Sequence, residues 1–195
     1  MMGEYSVMGP KRRGVYPGSF NPPTVAHLAI AHRASQLHSL DVVVWAVSEV
    51  ALTKGSVDRP SFEHRVAVLR EEAAAWPWLE VEITGHQLIA DIAAGYDVVI
   101  MGADKWHQVH DVAFYADSAA RDAAVASLPT VAVAPRAGLA VPPAVRLDVP
   151  DEMASVSSSR ARGGAVDTMA AAARRFDRET GAWSDPERFE RWLRS

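Results

Sequence analysis

The residues from Gly14 to Leu28 (GVYPGSFNPPTVAHL) hold the densest set of groups able to handle a phosphate. Gly18 permits close backbone approach to a ligand. Ser19 and Phe20 offer a hydroxyl and free amides, and Pro22 and Pro23 fix the turn. Thr24 caps the helix that follows, and His27 lies in its first turn. Amides at a helix start, backed by the helix dipole, attract phosphate. The His27 ring N–H and the Thr24 hydroxyl add two donors beside them. A bare Thr-x-x-His is equally well explained as a capped helix with a surface histidine. The PGSFNPPT string before it moves the reading toward phosphate.

Three further sets are spread along the chain. Ser157, Ser158 and Ser159, followed by Arg160 and Arg162, have the makings of a second phosphate-binding helix start, with Arg162 as a charged fork. Gly102 and Asp104 close an apolar run, where a carboxylate can accept hydrogen bonds from ribose hydroxyls. Lys54 and Arg65 are placed to steer or clamp phosphate. Each set has a plain alternative: a serine-rich loop, a strand-end turn with a capping aspartate, a pair of solvated cations. His64, His86, His107 and His110 show no metal-ligand spacing.

Positioning these groups requires alternating strands and helices. Short runs rich in β-branched residues mark strands at 14–17, 41–47, 79–83, 97–101 and 130–134, with a sixth candidate at 145–149. Helical patterns occupy 25–37, a segment capped by Ser61, 87–94 and 116–126. The alternation predicts an α/β, doubly wound, mainly parallel sheet of five or six strands with helices on both faces. In such sheets ligands bind at the carboxyl ends of the strands. Most of the groups above follow a predicted strand. Residues 1–12 read as a flexible leader. Residues 166–195 read as a helical extension of the same domain, with Asp185-Pro186 opening its last helix. Its Phe189, Trp192 and Leu193 stripe can dock on the chain's own core or on a second copy, so a homo-oligomer is a candidate.

Composition narrows the function classes. The 195 residues are 49% hydrophobic, enough for one real core. A net charge of −4 argues against a duplex nucleic-acid partner, which calls for a basic face. The absence of cysteine excludes disulfides, zinc-thiolate sites and cysteine catalysis. With no long apolar run, no membrane partner is expected, and the expected location is cytoplasmic.

Taken in order, these motifs resemble the HxGH/TxxH nucleotidyltransferase superfamily. They are most like its nicotinate or nicotinamide mononucleotide adenylyltransferase branch. The late VSSSRAR is similar to that branch's ISSTxIR, and Ala134 to Gly138 looks like its post-strand Arg-x-Gly. The resemblance runs from about Gly14 to Arg162, within a domain taken as 13–165, and implies a Rossmann-like fold. It implies transfer of AMP from ATP to a mononucleotide phosphate, with pyrophosphate released and (deamido-)NAD formed. Mg2+ would enter with the ATP phosphates rather than on a protein metal site. His27 would stabilise charge at the reacting phosphates, and Thr24 would contact phosphate beside it. Gly18, Ser19 and Phe20 would line the phosphate site. Lys54 and Arg65 would hold acceptor or triphosphate oxygens. Gly102 and Asp104 would meet the adenylate ribose. Ser158, Ser159 and Arg162 would bind the β- and γ-phosphates.

The chain departs from that branch in places. Ala26 replaces the common glycine of HxGH, and Thr24 replaces its first histidine, a trait shared with phosphopantetheine adenylyltransferase. The segment Gly85 to Ile92 lacks the branch's Ser-Tyr-Thr, and Lys105 to Tyr115 is unusual. Trp76, Trp78 and Trp106 are candidates for base stacking or for the core. Two alternatives stand beside the main reading: another phosphate acceptor such as phosphopantetheine, and a non-catalytic nucleotide-binding module.

Overall fold

The structure is a computed structural model and describes residues 9–49 and 59–195. Among these, five strands form one parallel sheet: β1 (Arg13–Pro17), β2 (Val42–Ser48), β3 (Leu79–Thr84), β4 (Val98–Gly102) and β5 (Thr130–Ala134). Their spatial order is β3-β2-β1-β4-β5. The chain moves outward from β1 to β3, crosses back over two strands, and then moves outward again to β5. The direction reverses between β1 and β4, so the crevice at their carboxyl ends is the topological switch point.

Strand side chains alternate between two cores, as the pleat requires. Tyr16, Val43, Trp45, Val47, Val98 and Ile100 face α1 (Val25–His38) and α2 (Phe62–Ala73), meeting Ile30, Ala31, Ala34 and Leu69. Val15, Ala46, Val99, Met101 and Val133 face α3 (Ile89–Ala93), α4 (Ala103–His110) and α5 (Ser118–Ala126). Right-handed crossovers running in opposite directions leave their helices on opposite faces, which gives the doubly wound, Rossmann-like arrangement. The continuous burial of β2 (VVVWAV) follows from being covered on both sides.

One predicted feature is corrected, and one plain alternative is set aside. Residues 145–149 do not form a sixth strand. Leu147 N–H donates to Val133 O at 2.8 Å and Arg146 makes one isolated parallel bridge to β5, without a continued ladder. Asp104 sits inside the first turn of α4 rather than capping a strand-end turn. The leader falls largely on residues 1–8, outside the described residues.

The tail folds back on its own domain. α6 (Ser158–Arg162), α7 (Ala171–Thr180) and α8 (Pro186–Trp192) follow one another, and Asp185 caps α8 by accepting from Arg188 N–H at 3.0 Å. Met169, Ala172, Ala173, Trp183 and Phe189 pack on Val68 of α2 and Ala161 of α6. Buried Glu72 reaches the start of α7, accepting from Ala172 N–H at 2.8 Å, where a carboxylate complements the helix dipole. Phe189 is therefore intramolecular core, whereas Trp192 and Leu193 are exposed. Among the described residues no helix is long and apolar enough to cross a membrane.

Candidate active site

At the switch point lies a cleft of about 280 Å³. Its walls come from the loop after β1, the starts of α1 and α4, the loop after β5 and the start of α6. Eight of the expected residues line it: Gly18, Ser19, Phe20, His27, Gly102, Asp104, Ser158 and Ser159.

His27 is the centre of the arrangement. Its Nδ1 lies 2.9 Å from the Thr24 backbone N and 2.8 Å from Thr24 Oγ1. An amide N–H can only donate, so Nδ1 is the acceptor and the ring proton sits on Nε2. That leaves an Nε2–H for the cleft that His27 lines. Burial, and next the nearby Arg136 guanidinium, push the His27 pKa down to about 4. The ring is thus an uncharged, fixed-tautomer donor near neutral pH.

Thr24 does not contact the cleft. It is fully buried, and its amide and hydroxyl orient His27 instead. This corrects the expectation of a direct phosphate contact. Thr24→Val removes the hydroxyl and keeps the amide. The variant is expected to lose about two- to tenfold in kcat, the worth of one ordinary hydrogen bond. A loss beyond a hundredfold, measured by steady-state turnover, would restore a direct role for the hydroxyl.

Gly18 serves a purpose the sequence did not disclose. A Cβ there would lie 2.9–3.2 Å from the Phe20 ring, which folds back under the loop. Phe20 adopts a positive φ of 43° and stacks on Trp45 with centroids 4.9 Å apart. Its buried ring is core, so only its backbone is available to a ligand. Gly102 makes room in the same way, since a Cβ would meet Asp104 Oδ1 at 2.7 Å. The missing side chain gives the Asp104 carboxylate its place.

Ser158 and Ser159 differ in what they can offer. The Ser158 hydroxyl donates to Pro22 O at 2.7 Å, strapping α6 to the first loop. Ser159 Oγ accepts from Arg162 Nη2 at 3.3 Å, which leaves its own O–H to donate. Arg162 is exposed and does not line the cleft as described, and its other arm holds Asn21 O. Arg65 is not in the cleft. It is buried beneath the loop, with Nη1 donating to Ser19 O at 3.4 Å and its guanidinium over Phe62. Among the described residues it meets the loop that carries Ser19 and does not line the cleft, where a phosphate contact was expected. Lys54 lies outside the described residues.

Two cations line the cleft that were not among the expected site residues: Lys105 and Arg136. Arg136 Nη1 stands 3.6 Å from Asp104 Oδ1, and Lys105 Nζ donates to Gln108 Oε1 at 2.6 Å. Their signals were present, Arg136 in the post-strand Arg-x-Gly and Lys105 next to Asp104. Tyr16 also lines the cleft, and burial raises its phenol pKa, so it stays uncharged. Trp76, Trp78 and Trp106 do not line it. Trp78 packs on the core below α1 and α2, Trp106 on the core of the opposite face, and Trp76 lies against Trp78.

The donors suit a polyanion. Among the described residues no group of three or more His, Asp or Glu side chains is placed to hold a metal ion. Asp104, the acidic residue lining the cleft, is engaged by Arg136.

Comparison with known proteins places the chain in a family. The model of the cytidylyltransferase-like family matches residues 15–163, from β1 through α6. Curated relatives include the phosphopantetheine adenylyltransferase of Roseiflexus sp. (strain RS-1), 40% identical over 96 residues, which is 45% of this chain and 52% of that protein. The protein of the same name from Rhizorhabdus wittichii is 34% identical over 92 residues, 46% of this chain and 51% of that protein. Another, from Dinoroseobacter shibae, is 44% identical over 79 residues, 40% of this chain and 41% of that protein. The chain spans about half the length, or less, of these curated relatives. Because the family model covers well over half of the residues, the chain belongs to the cytidylyltransferase-like family of nucleotidyltransferases.

Proposed function

We propose that this protein is an adenylyltransferase that moves AMP from ATP to a terminal phosphate of its acceptor, with phosphopantetheine as the acceptor. The observation that carries the transfer is His27, held by the Thr24 amide as a neutral Nε2–H donor in a cleft shared with Ser159, Lys105 and Arg136. The relatives' names support the acceptor, as does the Thr-x-x-His form of the motif. The mononucleotide acceptor expected from the late motif, and with it a part in NAD synthesis, draws no support from the relatives named above.

In this reading the acceptor phosphate oxygen attacks the α-phosphorus of ATP in line. One P–O bond forms, the bond to the β-phosphate oxygen breaks, and pyrophosphate leaves. Charge builds on the α/β-phosphate oxygens, and His27 Nε2–H, Lys105 and Arg136 are fixed donors for it. The Ser159 hydroxyl and Arg162 hold the outer phosphates at the start of α6. Mg2+, brought by ATP, would neutralise the leaving group. The protein contributes placement and field rather than a nucleophile.

Asp104, seated by Gly102 at the end of β4, presents a carboxylate to the same cleft, where the ribose hydroxyls of ATP can donate to it whichever acceptor is used. The test is pyrophosphate release with ATP or CTP against phosphopantetheine, nicotinate mononucleotide and nicotinamide mononucleotide. Turnover with ATP and phosphopantetheine at a kcat/KM at least a hundredfold above the mononucleotides is expected. Preference for a mononucleotide would overturn the acceptor. A silent panel with ATP still bound in calorimetry would indicate a nucleotide-binding module.

A further inference from the structure

The loop that carries the site cannot hold itself. Pro22 and Pro23 lack N–H groups, so the loop has few donors of its own, and the carbonyls of residues 21–23 are met from elsewhere. The structure supplies those donors from the C-terminal part of the chain. Arg162 meets Asn21 O, the Ser158 hydroxyl meets Pro22 O at 2.7 Å, and Ala170 N–H meets Pro23 O at 3.0 Å. Thr24 pairs with Met169 in an isolated antiparallel bridge. From the far tail, Trp183 Nε1–H donates to Asn21 Oδ1 at 2.5 Å.

Trp183 is itself tightly placed. Buried Asp177 accepts from Trp183 N–H at 2.7 Å and Ser184 N–H at 2.9 Å through Oδ1, and from the Ser184 hydroxyl at 2.7 Å through Oδ2. The indole packs edge-on against Phe176 with centroids 5.9 Å apart. A buried carboxylate that spends three hydrogen bonds on one turn makes that turn rigid. The turn lies some twenty residues past the end of the family match at residue 163, yet its indole reaches the catalytic loop. From Asn21 the path to the reacting centre is short: two prolines, then the Thr24 amide that fixes the His27 ring.

We infer that Trp183 is a positioning residue for His27, acting through Asn21, so that the tail is a working part of the active site. The catalytic role of His27 rests on the function proposed above; the positioning itself does not. Trp183→Phe removes the N–H and keeps a smaller ring facing Phe176, whereas Asn21 is left in place. Asn21→Ala removes the acceptor.

The first measurement is residue-resolved amide hydrogen exchange in the unliganded protein. Thr24 N–H is expected to exchange at least tenfold faster in either variant, and no faster in the double variant, while buried amides of β1 and β4 keep their wild-type rates. Unchanged Thr24 exchange overturns the inference. So does equal acceleration throughout β1 and β4, or a double variant in which the two effects multiply. The second measurement is turnover with ATP and phosphopantetheine. Trp183→Phe is expected to lower kcat about five- to tenfold, with both KM values within twofold of wild type, while Asn21→Ala, which leaves the indole in the core, gives the same fall in kcat. A wild-type kcat also overturns it. Wild-type protein silent in this assay would fall on the proposed acceptor alone, and the exchange result would still decide the role of Trp183.

Discussion

Replacing His27 by alanine is expected to lower kcat about a hundred- to a thousandfold, the usual loss when one preorganised donor to transition-state charge is removed. The substitution sits at the surface of the cleft and leaves the Thr24 amide able to take water, so the fold should persist. Far-ultraviolet circular dichroism and Tm check the fold, and pyrophosphate release checks the rate. Turnover within fivefold of wild type would sink the mechanism.

The pH dependence distinguishes this donor from a general acid or base. The folded-state pKa of about 4 lies below the ordinary value of 6.5. An uncharged His27 therefore serves at every pH from about 5 upward, and kcat should show no inflection near 6.5 that His27→Ala abolishes. The stability linkage has a definite sign. Between the two pKa values the unfolded chain binds the proton and the folded chain does not, so stability from this group is complete above pH 6.5. It declines as pH falls toward 4. The loss amounts to at most about 3 kcal/mol. Thermal melts of wild type and His27→Ala between pH 4 and 7 should converge or cross toward the acid end. Parallel melts would contradict the buried, neutral ring.

Arg162→Ala is expected to raise the KM for ATP about ten- to a hundredfold, with the acceptor KM little changed. Charge-assisted hydrogen bonds are worth about 1.5–3 kcal/mol each, and the guanidinium has two arms in use. One arm fixes Asn21 O and the other Ser159 Oγ, so its loss loosens both walls of the cleft at once. Arg162→Lys restores the charge but not the fork, and should recover less than half of the loss on a logarithmic scale. Initial-rate kinetics with varied ATP provide the measurement. An unchanged ATP KM in Arg162→Ala would remove this residue from the nucleotide site.

The sequence alone determined the sheet and the neighbourhood of the site. Burial on both faces demands β-branched, nearly unbroken apolar strands, and Val42 to Val47 and Val98 to Met101 announce themselves in that way. Helix starts are equally local: Ser61 accepts from His64 N–H and Asp185 from Arg188 N–H, bonds that span three residues. Residues 145–149 show the limit of such signals, because an apolar run becomes a strand only if a free sheet edge is aligned with it. What each motif residue does was decided by tertiary structure. Thr24 and Arg65 carry the right chemistry for phosphate, yet burial turns one toward His27 and the other beneath Ser19. Lys105 and Arg136 have no motif of comparable strength, yet the reversal between β1 and β4 sets them in the cleft. The brace from Trp183 to Asn21 joins positions far apart in the chain. Local pattern reports only which groups can make a bond. Which bond is made depends on how the crossovers fold the distant segments together.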